Sequence, residues 1–499
     1  GTTGSAALVS FLRSVGGDPI YYVPHRIEEG YGLNSDALEK LAQRGVNLLV
    51  TVDCGISNIR EVETARNLGM DVVIVDHHEP PAVLPPANAI LNPHRADCSF
   101  PDKGLCGAGL AFYLIIGLRA HLSKLHWFSS DQVPDIRRCL DIVTLGTIAD
   151  MVPLKRTNRV LTRRGLVELG TSSRPGVLAL KEVAGIPEGE MSVGQVGFRL
   201  GPRINAAGRM DAGIKVVEML TTPSLEVARR IALELDGHNQ ERQATEARVL
   251  SEALEQIEED ASNRERASIV VGREGWHPGV VGIVASRIVE RYYRPTVVVG
   301  FQDGEGKGSA RGIRGFHVVE GFHHCKDLLE KFGGHEYAGG LTVRRENFQL
   351  FSDRFEAVAR SSLVAEDLIP FLEVDAKIEF SEIDHSLTKE MDRLSPFGIG
   401  NPEPVFVTEG VEVSERRDFN GGARFRLRGQ GRTLGAVVFG LKGENSNAGS
   451  KRKAPMAPHH FDSLLNCGAT VDLVYRLTEN EWNGTRSVAL RIVDVRPSA

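Results

Sequence analysis

Short apolar runs alternate with longer amphipathic stretches over the first part of the chain. Pro19–Val23, Val46–Val52 (VNLLVTV) and Asp71–Val75 (DVVIV) read as buried strands, too short for helices and rich in β-branched residues. Between them, Ser35–Arg44 and Asn58–Leu68 carry helical spacing, the first led by Asn34 and Ser35 as capping residues. This alternation predicts a parallel sheet covered on both faces. Further helices are expected over Gly107–Leu125 and Pro134–Ile148, and Leu225–Asp260 reads as a long polar helix able to space two domains. A second α/β unit starts near Ala267: strand SIVVG, helix Val280–Glu290, strand PTVVVG, a loop GKGSARG, the glycine-rich KFGGHEYAGG and a helix over Asn347–Ser361. After Phe371 the segments ARFRLRG, TLGAVVFG, ATVDLVYRL and SVALRIVDV alternate in the manner of a small antiparallel barrel. Its long loop carries Lys451, Arg452 and Lys453, and Phe419, Phe425, Tyr475 and Trp482 are either core residues or base-stacking platforms.

Composition narrows the class. At 499 residues the chain has room for about three domains. No apolar run approaches the roughly 20 residues of a membrane span, and no leader pattern opens the chain. The six cysteines are scattered without a CxxC pair, which fits neither a disulfide framework nor a zinc site and suits a reducing cytoplasm. A net charge of −6 excludes whole-chain attraction to nucleic acid but leaves room for a local basic surface.

The chemistry concentrates at strand ends. VNLLVTVDCGISN places Asp53 at the end of one buried strand, and DVVIVDHHEPP places Asp76, His77 and His78 at the end of another. In a parallel sheet such ends lie together on the ligand-binding edge. One strand-end Asp can simply cap a turn; two, with paired histidines, suit Mn²⁺, Mg²⁺ or Zn²⁺, and an oxygen-rich set favours the first two. In LDIVTLGTIADMVPL, Asp150 ends an apolar helix, unfavourably placed against the helix dipole unless a cation lies nearby. Asp141 is expected in the first turn of that helix. Gly1–Ser5 read as a tight loop feeding a helix, and GFRLGPRINAAGRM reads as a loop. In it Arg203 and Arg209 flank small residues that let a phosphate approach, and Asn205 supports the loop or touches substrate.

VDCGISN, VDHHEPP, TLGTIADMVPL and GFRLGPRINAAGRM, in this order, resemble the DHH phosphoesterase superfamily, and within it the RecJ-type single-strand-specific 5′→3′ exonucleases. GGHEYAGG resembles the DHH-associated domain, and PFGIGNPEPVF resembles the entry to the RecJ OB-fold. The resemblance implies an α/β DHH domain with a parallel sheet (1–220), a connecting helix (221–264), a smaller α/β DHH-associated domain (265–365) and a C-terminal OB-fold β-barrel (366–499). It implies two Mn²⁺ or Mg²⁺ ions about 4 Å apart. Asp53 would bridge them, His77 and Asp150 would complete one, His78 would face the scissile phosphate, and Asp76 would orient the histidines. Arg203 and Arg209 would serve catalysis. Arg26, Asn205, Ser309, Arg311, Gly333, Gly334 and His335 would bind substrate, with Arg26, Ser309 and Arg311 forming a pocket for the 5′-terminal phosphate.

The family's first motif is a strand ending Asp-x-Asp-x-Asp-Gly, of which only Gly1 is matched. The chain is therefore expected to begin within that motif and, as given, to be nearly inactive for want of one ion's ligands. The resemblance implies hydrolysis of single-stranded DNA in repair and recombination by a cytoplasmic monomer, alongside single-strand binding protein and a helicase, with no membrane. The alternatives are a phosphodiesterase of short oligonucleotides or cyclic dinucleotides, and a non-catalytic single-strand-binding scaffold.

Overall fold

A computed structural model describes residues 1–24, 32–129, 132–207, 213–259, 265–439, 461, 464–482 and 485–498. Arg26, Arg209 and Lys451–Lys453 lie outside the described residues.

The first sheet is parallel, in the order β1 (Leu48–Val52), β2 (Asp71–Val75), β3 (Ala89–Leu91). Asn34 caps the helix Ser35–Gln43 as its sequence predicts, accepting the Ala37 N–H at 3.2 Å. Helices Thr2–Ser14, Gly107–Lys124 and Leu140–Ala149 meet in one core through Ala6, Phe11, Phe112, Ile115, Ile142 and Leu145.

Two expectations fail here for identifiable reasons. Gly1–Ser5 do not form a loop; the helix starts at Thr2. A Cβ on Gly4 would stand 2.9 Å from Val52 Cγ1 and 3.0 Å from Ala108 Cα, so the glycine serves close helix packing rather than a turn. Pro19–Val23 forms no strand: Pro19 and Pro24 bracket the run, proline supplies no N–H for a ladder, and the segment instead packs Tyr21 and Val23 on the core.

The described part of GFRLGPRINAAGRM, residues 197–207, is also not a loop. A π-helical turn, Val196–Leu200, runs into the helix Gly201–Ala207, and both pack on Leu140–Ala149. Helix Leu225–Glu259 then spans to the second sheet, ordered β4-β5-β6-β8-β7. Its strands are β4 (Ile269–Glu274), β5 (Thr296–Gln302), β6 (Glu305–Arg311), β7 (Leu329–Gly334) and β8 (Ala338–Arg344). GKGSARG is thus strand β6. Its glycines hide the strand signal, yet a Cβ on Gly306 or Gly308 would come within 2.5 or 2.9 Å of Phe301 or Val299, so glycine is required at these two positions.

The last unit comprises β9 (Ala376–Lys377), β10 (Phe406–Phe419), β11 (Gly422–Gly429), β12 (Arg432–Phe439), β13 (Thr470–Trp482) and β14 (Thr485–Pro497). Five of them close in the order β10-β11-β12-β14-β13-β10, an OB-type barrel. The β12–β14 pair is parallel, so the barrel is mixed rather than purely antiparallel. Phe425 and Tyr475 are buried in its core. Among the described residues no helix is long and apolar enough to cross a membrane.

Candidate metal centre

Strands β1 and β2 end in register, Val52 opposite Val75, so Asp53 and Asp76 leave the sheet side by side. Each still donates to the ladder, Asp53 N–H to Val75 O at 2.8 Å and Asp76 N–H to Leu91 O at 3.1 Å. Asp53 sits at φ +66°, a left-handed conformation that strains a side-chain-bearing residue and recurs at functional sites.

Three elements converge on one imidazole. His77 Nε2 lies 3.0 Å from Asp53 Oδ1 and 3.6 Å from Asp150 Oδ2. Asp150 is the C-cap of helix Leu140–Ala149, where the sequence places it. Ligand atoms of Asp53, His77 and His78 all fall within 4.8 Å of one another.

Asp76 organises the edge from beneath. It is 1% exposed and accepts N–H groups from Ile56 (3.0 Å), His77 (2.8 Å) and His78 (3.3 Å), with His78 Nδ1 at 2.6 Å. It orients the ring of His78 directly, but His77 only through its backbone. Asn92, at the end of β3, completes the support by donating from Nδ2 to His78 O at 2.8 Å. Sequence reasoning missed Asn92; the signal was a third apolar strand ending in a polar residue, NAILNPH, too short to stand out.

Electrostatics favour a cation. Burial pushes the Asp53 carboxyl upward, but its hydrogen bond to His77 draws it below the usual carboxylate range. Burial, then the charge of Asp53, push Asp150 upward. His78 is raised, chiefly by its hydrogen bond to Asp76. Burial and both aspartates keep the Cys54 thiol protonated, at about 12. Two carboxylates crowded around one imidazole repel each other, and a divalent ion with oxygen and nitrogen preference relieves that repulsion. The donor set fits Mn²⁺ or Mg²⁺.

Gly107 is a second residue that sequence reasoning missed. It opens helix Gly107–Lys124, and a Cβ there would lie 2.5 Å from Asp53 Oδ1. Gly107→Ala must therefore displace the carboxylate. Mn²⁺ affinity measured by calorimetry is expected to fall at least about tenfold, the effect of removing a residue that orients a ligand.

The other candidate residues divide into groups. Arg203 is turned away into an ion pair with Asp236 of the long helix at 2.7 Å, and it also donates to the carbonyls of Arg199 and Val183. Its cost of burial is met there rather than by a phosphate. Asn205 Nδ2 lies 3.4 Å from Ala149 O, beside Asp150. Ser309 and Arg311 on β6 and Gly333 and Gly334 on β7 flank β8 from either side: Ser309 pairs with Gly340, which pairs with Gly333. Arg311 donates to Ser309 Oγ at 3.0 Å and to Ala310 O at 2.7 Å. Burial draws its pKa down, and no carboxylate pairs with it among the described residues. His335 stands exposed in the β7–β8 turn, its N–H donating to Ala338 O at 2.8 Å.

On the barrel, β11 points Arg424, Arg426 and Arg428 outward in strict alternation with buried Phe425 and Leu427. Arg424 lies over Phe419 at 5.7 Å, and Phe419 lies edge-on to the exposed Phe439 at 6.0 Å. The sequence displayed this stripe in ARFRLRG, but as a strand pattern rather than a surface.

Three family profiles match the chain: the DHH family N-terminal domain over residues 1–147, the DHHA1 domain over 266–361 and the RecJ OB domain over 374–494. The single-stranded-DNA-specific exonuclease RecJ of Bacillus subtilis is 36% identical over all of this chain, which spans 60% of that relative's length. The Escherichia coli protein of the same name is 37% identical, again over all of this chain and 85% of the relative. Among solved structures, RecJ from Thermus thermophilus in complex with Mn²⁺ matches with a TM-score of 0.79 at 30% identity, covering 100% of this chain and 68% of that one. With relatives this similar along all of this chain, and with DHH, DHHA1 and RecJ OB profiles matched in succession, the chain belongs to the RecJ family.

Proposed function

We propose that this chain is the catalytic part of a metal-dependent exonuclease that removes nucleotides from the 5′ end of single-stranded DNA. The observation that carries the reading is the convergence of Asp53, His77 and Asp150 from three elements on one point at the edge of a parallel sheet. Solved RecJ structures hold Mn²⁺ or Mg²⁺, and here Asp53, His77 and Asp150 would hold such an ion. When bound, a divalent ion supplies an activated water and charge neutralisation for an in-line phosphoryl displacement.

The chain's own residues do the rest. Asp76 accepts the His78 Nδ1 proton, which fixes the ring and favours the imidazolium form, whose Nε2–H is the donor offered to a phosphate oxygen. Asn205, beside Asp150, faces the same edge and binds the strand near the scissile bond. Ser309 and Arg311 bind the terminal 5′-phosphate, with Gly333, Gly334 and His335 closing the wall of that pocket; a half-buried guanidinium with no carboxylate partner among the described residues suits an anion. Arg26 is assigned to substrate by resemblance, and Arg209 to catalysis by resemblance and by its place beside small residues that admit a phosphate. Arg203 acts by anchoring its helix to the long helix. The arginine stripe of β11, with Phe419 and Phe439, guides the single strand by backbone charge and base stacking. Single-strand binding protein and a helicase are the partners that fit this reading, with a cytoplasmic monomer as the working form.

The test is a comparison of substrates on the full-length protein with Mn²⁺. A 5′-phosphorylated single strand is expected to be shortened from that end, with duplex DNA and cyclic dinucleotides spared. Preferential cleavage of a dinucleotide would instead support the small-substrate alternative. Arg311→Ala is expected to raise KM for the 5′-phosphorylated strand by at least about tenfold, the size of a lost charged hydrogen bond. The same substitution should leave a 5′-hydroxyl strand nearly unaffected.

A further inference from the structure

The entry to the barrel does not hang free of the metal centre. The turn Pro396–Asn401 closes on itself through reciprocal bonds between Gly398 and Asn401 of 2.8 and 3.0 Å. Asn401 Nδ2 further ties Leu394 O at 3.0 Å and Pro396 O at 2.9 Å. This turn sits on the segment that follows Asp150. Ile399 O accepts the Leu154 N–H at 2.7 Å, and a Cβ on Gly398 would stand 2.7 Å from Leu154 Cδ1. Gly400, at φ +72°, packs its backbone where a Cβ would meet Pro153 at 3.0 Å.

Two neighbouring side chains carry the contact onward. Arg159 grips the chain leading into the turn, donating to Leu394 O at 3.2 Å, Arg393 O at 2.7 Å and Ser395 O at 3.3 Å. Asn158, 1% exposed, uses one amide to hold two segments, Pro153 O at 3.0 Å and Gly104 O at 2.6 Å. Pro153 lies three residues after Asp150, and Gly104 lies three residues before Gly107, the glycine against Asp53. Asn158 therefore joins the wall that bears Asp150 to the segment whose Gly107 packs against Asp53, and the barrel turn is clamped to the same joint.

We propose that the Pro396–Asn401 turn is a positioning element of the metal centre, setting the separation of Asp150 from Asp53 through Leu154, Asn158 and Arg159. The proposal rests on the reading of Asp53, His77 and Asp150 as metal ligands. Isolated carbonyl contacts hold a turn in place; here they bridge two modules at a point three residues from each wall, where sub-ångström shifts alter ligand geometry. By reciprocity, a strand that pulls on the barrel entry also alters metal affinity.

The experiment measures Mn²⁺ binding to the full-length protein by calorimetry and by the Mn²⁺ electron paramagnetic resonance line shape, without nucleic acid. Arg159→Ala is expected to weaken Mn²⁺ binding about threefold to thirtyfold, the range for residues that couple sites without touching a ligand. The line shape should change as well, while single-strand affinity in EDTA stays within about twofold. Arg159→Lys, which keeps one donor, should recover part of the loss. Asn401→Ala, which loosens the turn from the barrel side, should reproduce the effect and serves if Arg159→Ala does not fold. Unchanged Mn²⁺ affinity and line shape in the folded variants would overturn the proposal. A wild-type protein that binds no Mn²⁺ would overturn instead the metal reading on which it rests.

Discussion

Asp53→Asn is expected to lower Mn²⁺-dependent cleavage by the full-length protein by at least about a thousandfold, since the metal's contribution to such a displacement is several kcal/mol and each 1.36 kcal/mol is tenfold. The substitution keeps shape and volume but removes the charge that Asp150 and His77 surround. Its effect on stability is small. Asparagine tolerates the left-handed φ of +66° at this position better than most residues, and the push of Asp53 on Asp150 disappears, while the charge-assisted hydrogen bond to His77 is weakened. The metal-free variant should therefore melt within a few degrees of the metal-free wild type. Catalysis lost with stability largely kept marks a residue whose charge serves the metal rather than the fold. A variant that keeps cleaving, or that loses activity only by unfolding, removes Asp53 from the centre.

Asp76→Ala is expected to damage the fold as well as the chemistry. Asp76 is buried, and the N–H groups of Ile56, His77 and His78 all converge on its carboxylate. Orphaning these donors costs about 3 kcal/mol or more, read as a shift of the denaturant midpoint in EDTA. The penalty should vary with pH. Burial raises the Asp76 carboxyl, but hydrogen bonds from His78 and the backbone bring it below its usual value. Its contribution is present above the unfolded carboxylate value, near 3.9, and fades as pH falls through the folded one. His78 is raised by Asp76, so its share is complete below the unfolded histidine value, near 6.5, and fades as pH rises through the folded one. The wild-type advantage over Asp76→Ala should thus be greatest between about pH 4 and 6.5. A penalty flat across that range would detach His78 from Asp76.

The centre was legible because its chemistry is written at strand ends. Asp53, Asp76, His77 and His78 follow apolar runs whose only partner is another apolar run, and the parallel register then leaves the ends no choice but to meet. Asp150 was legible from its conflict with a helix dipole. What escaped was whatever depends on packing between distant elements. Gly4 looks like a turn residue in sequence and Gly107 like an ordinary helix start, yet at each only glycine is small enough for the contact it makes. GKGSARG reads as a loop because glycine in a strand carries no signal, and its strand face becomes evident only against Phe301 and Val299. Arg203 was assigned to phosphate on the strength of charge and small neighbours. Its partner, Asp236, lies on a different helix and could not be located from spacing alone.

Anomalous diffraction from crystals of the full-length protein soaked in Mn²⁺ reads the centre directly. A peak within about 2.5 Å of Asp53 and His77, with Asp150 on the same ion, is the expected result for a hard divalent cation held by these donors. Ordered Asp53, His77 and Asp150 side chains with no peak between them would contradict the metal-dependent nuclease.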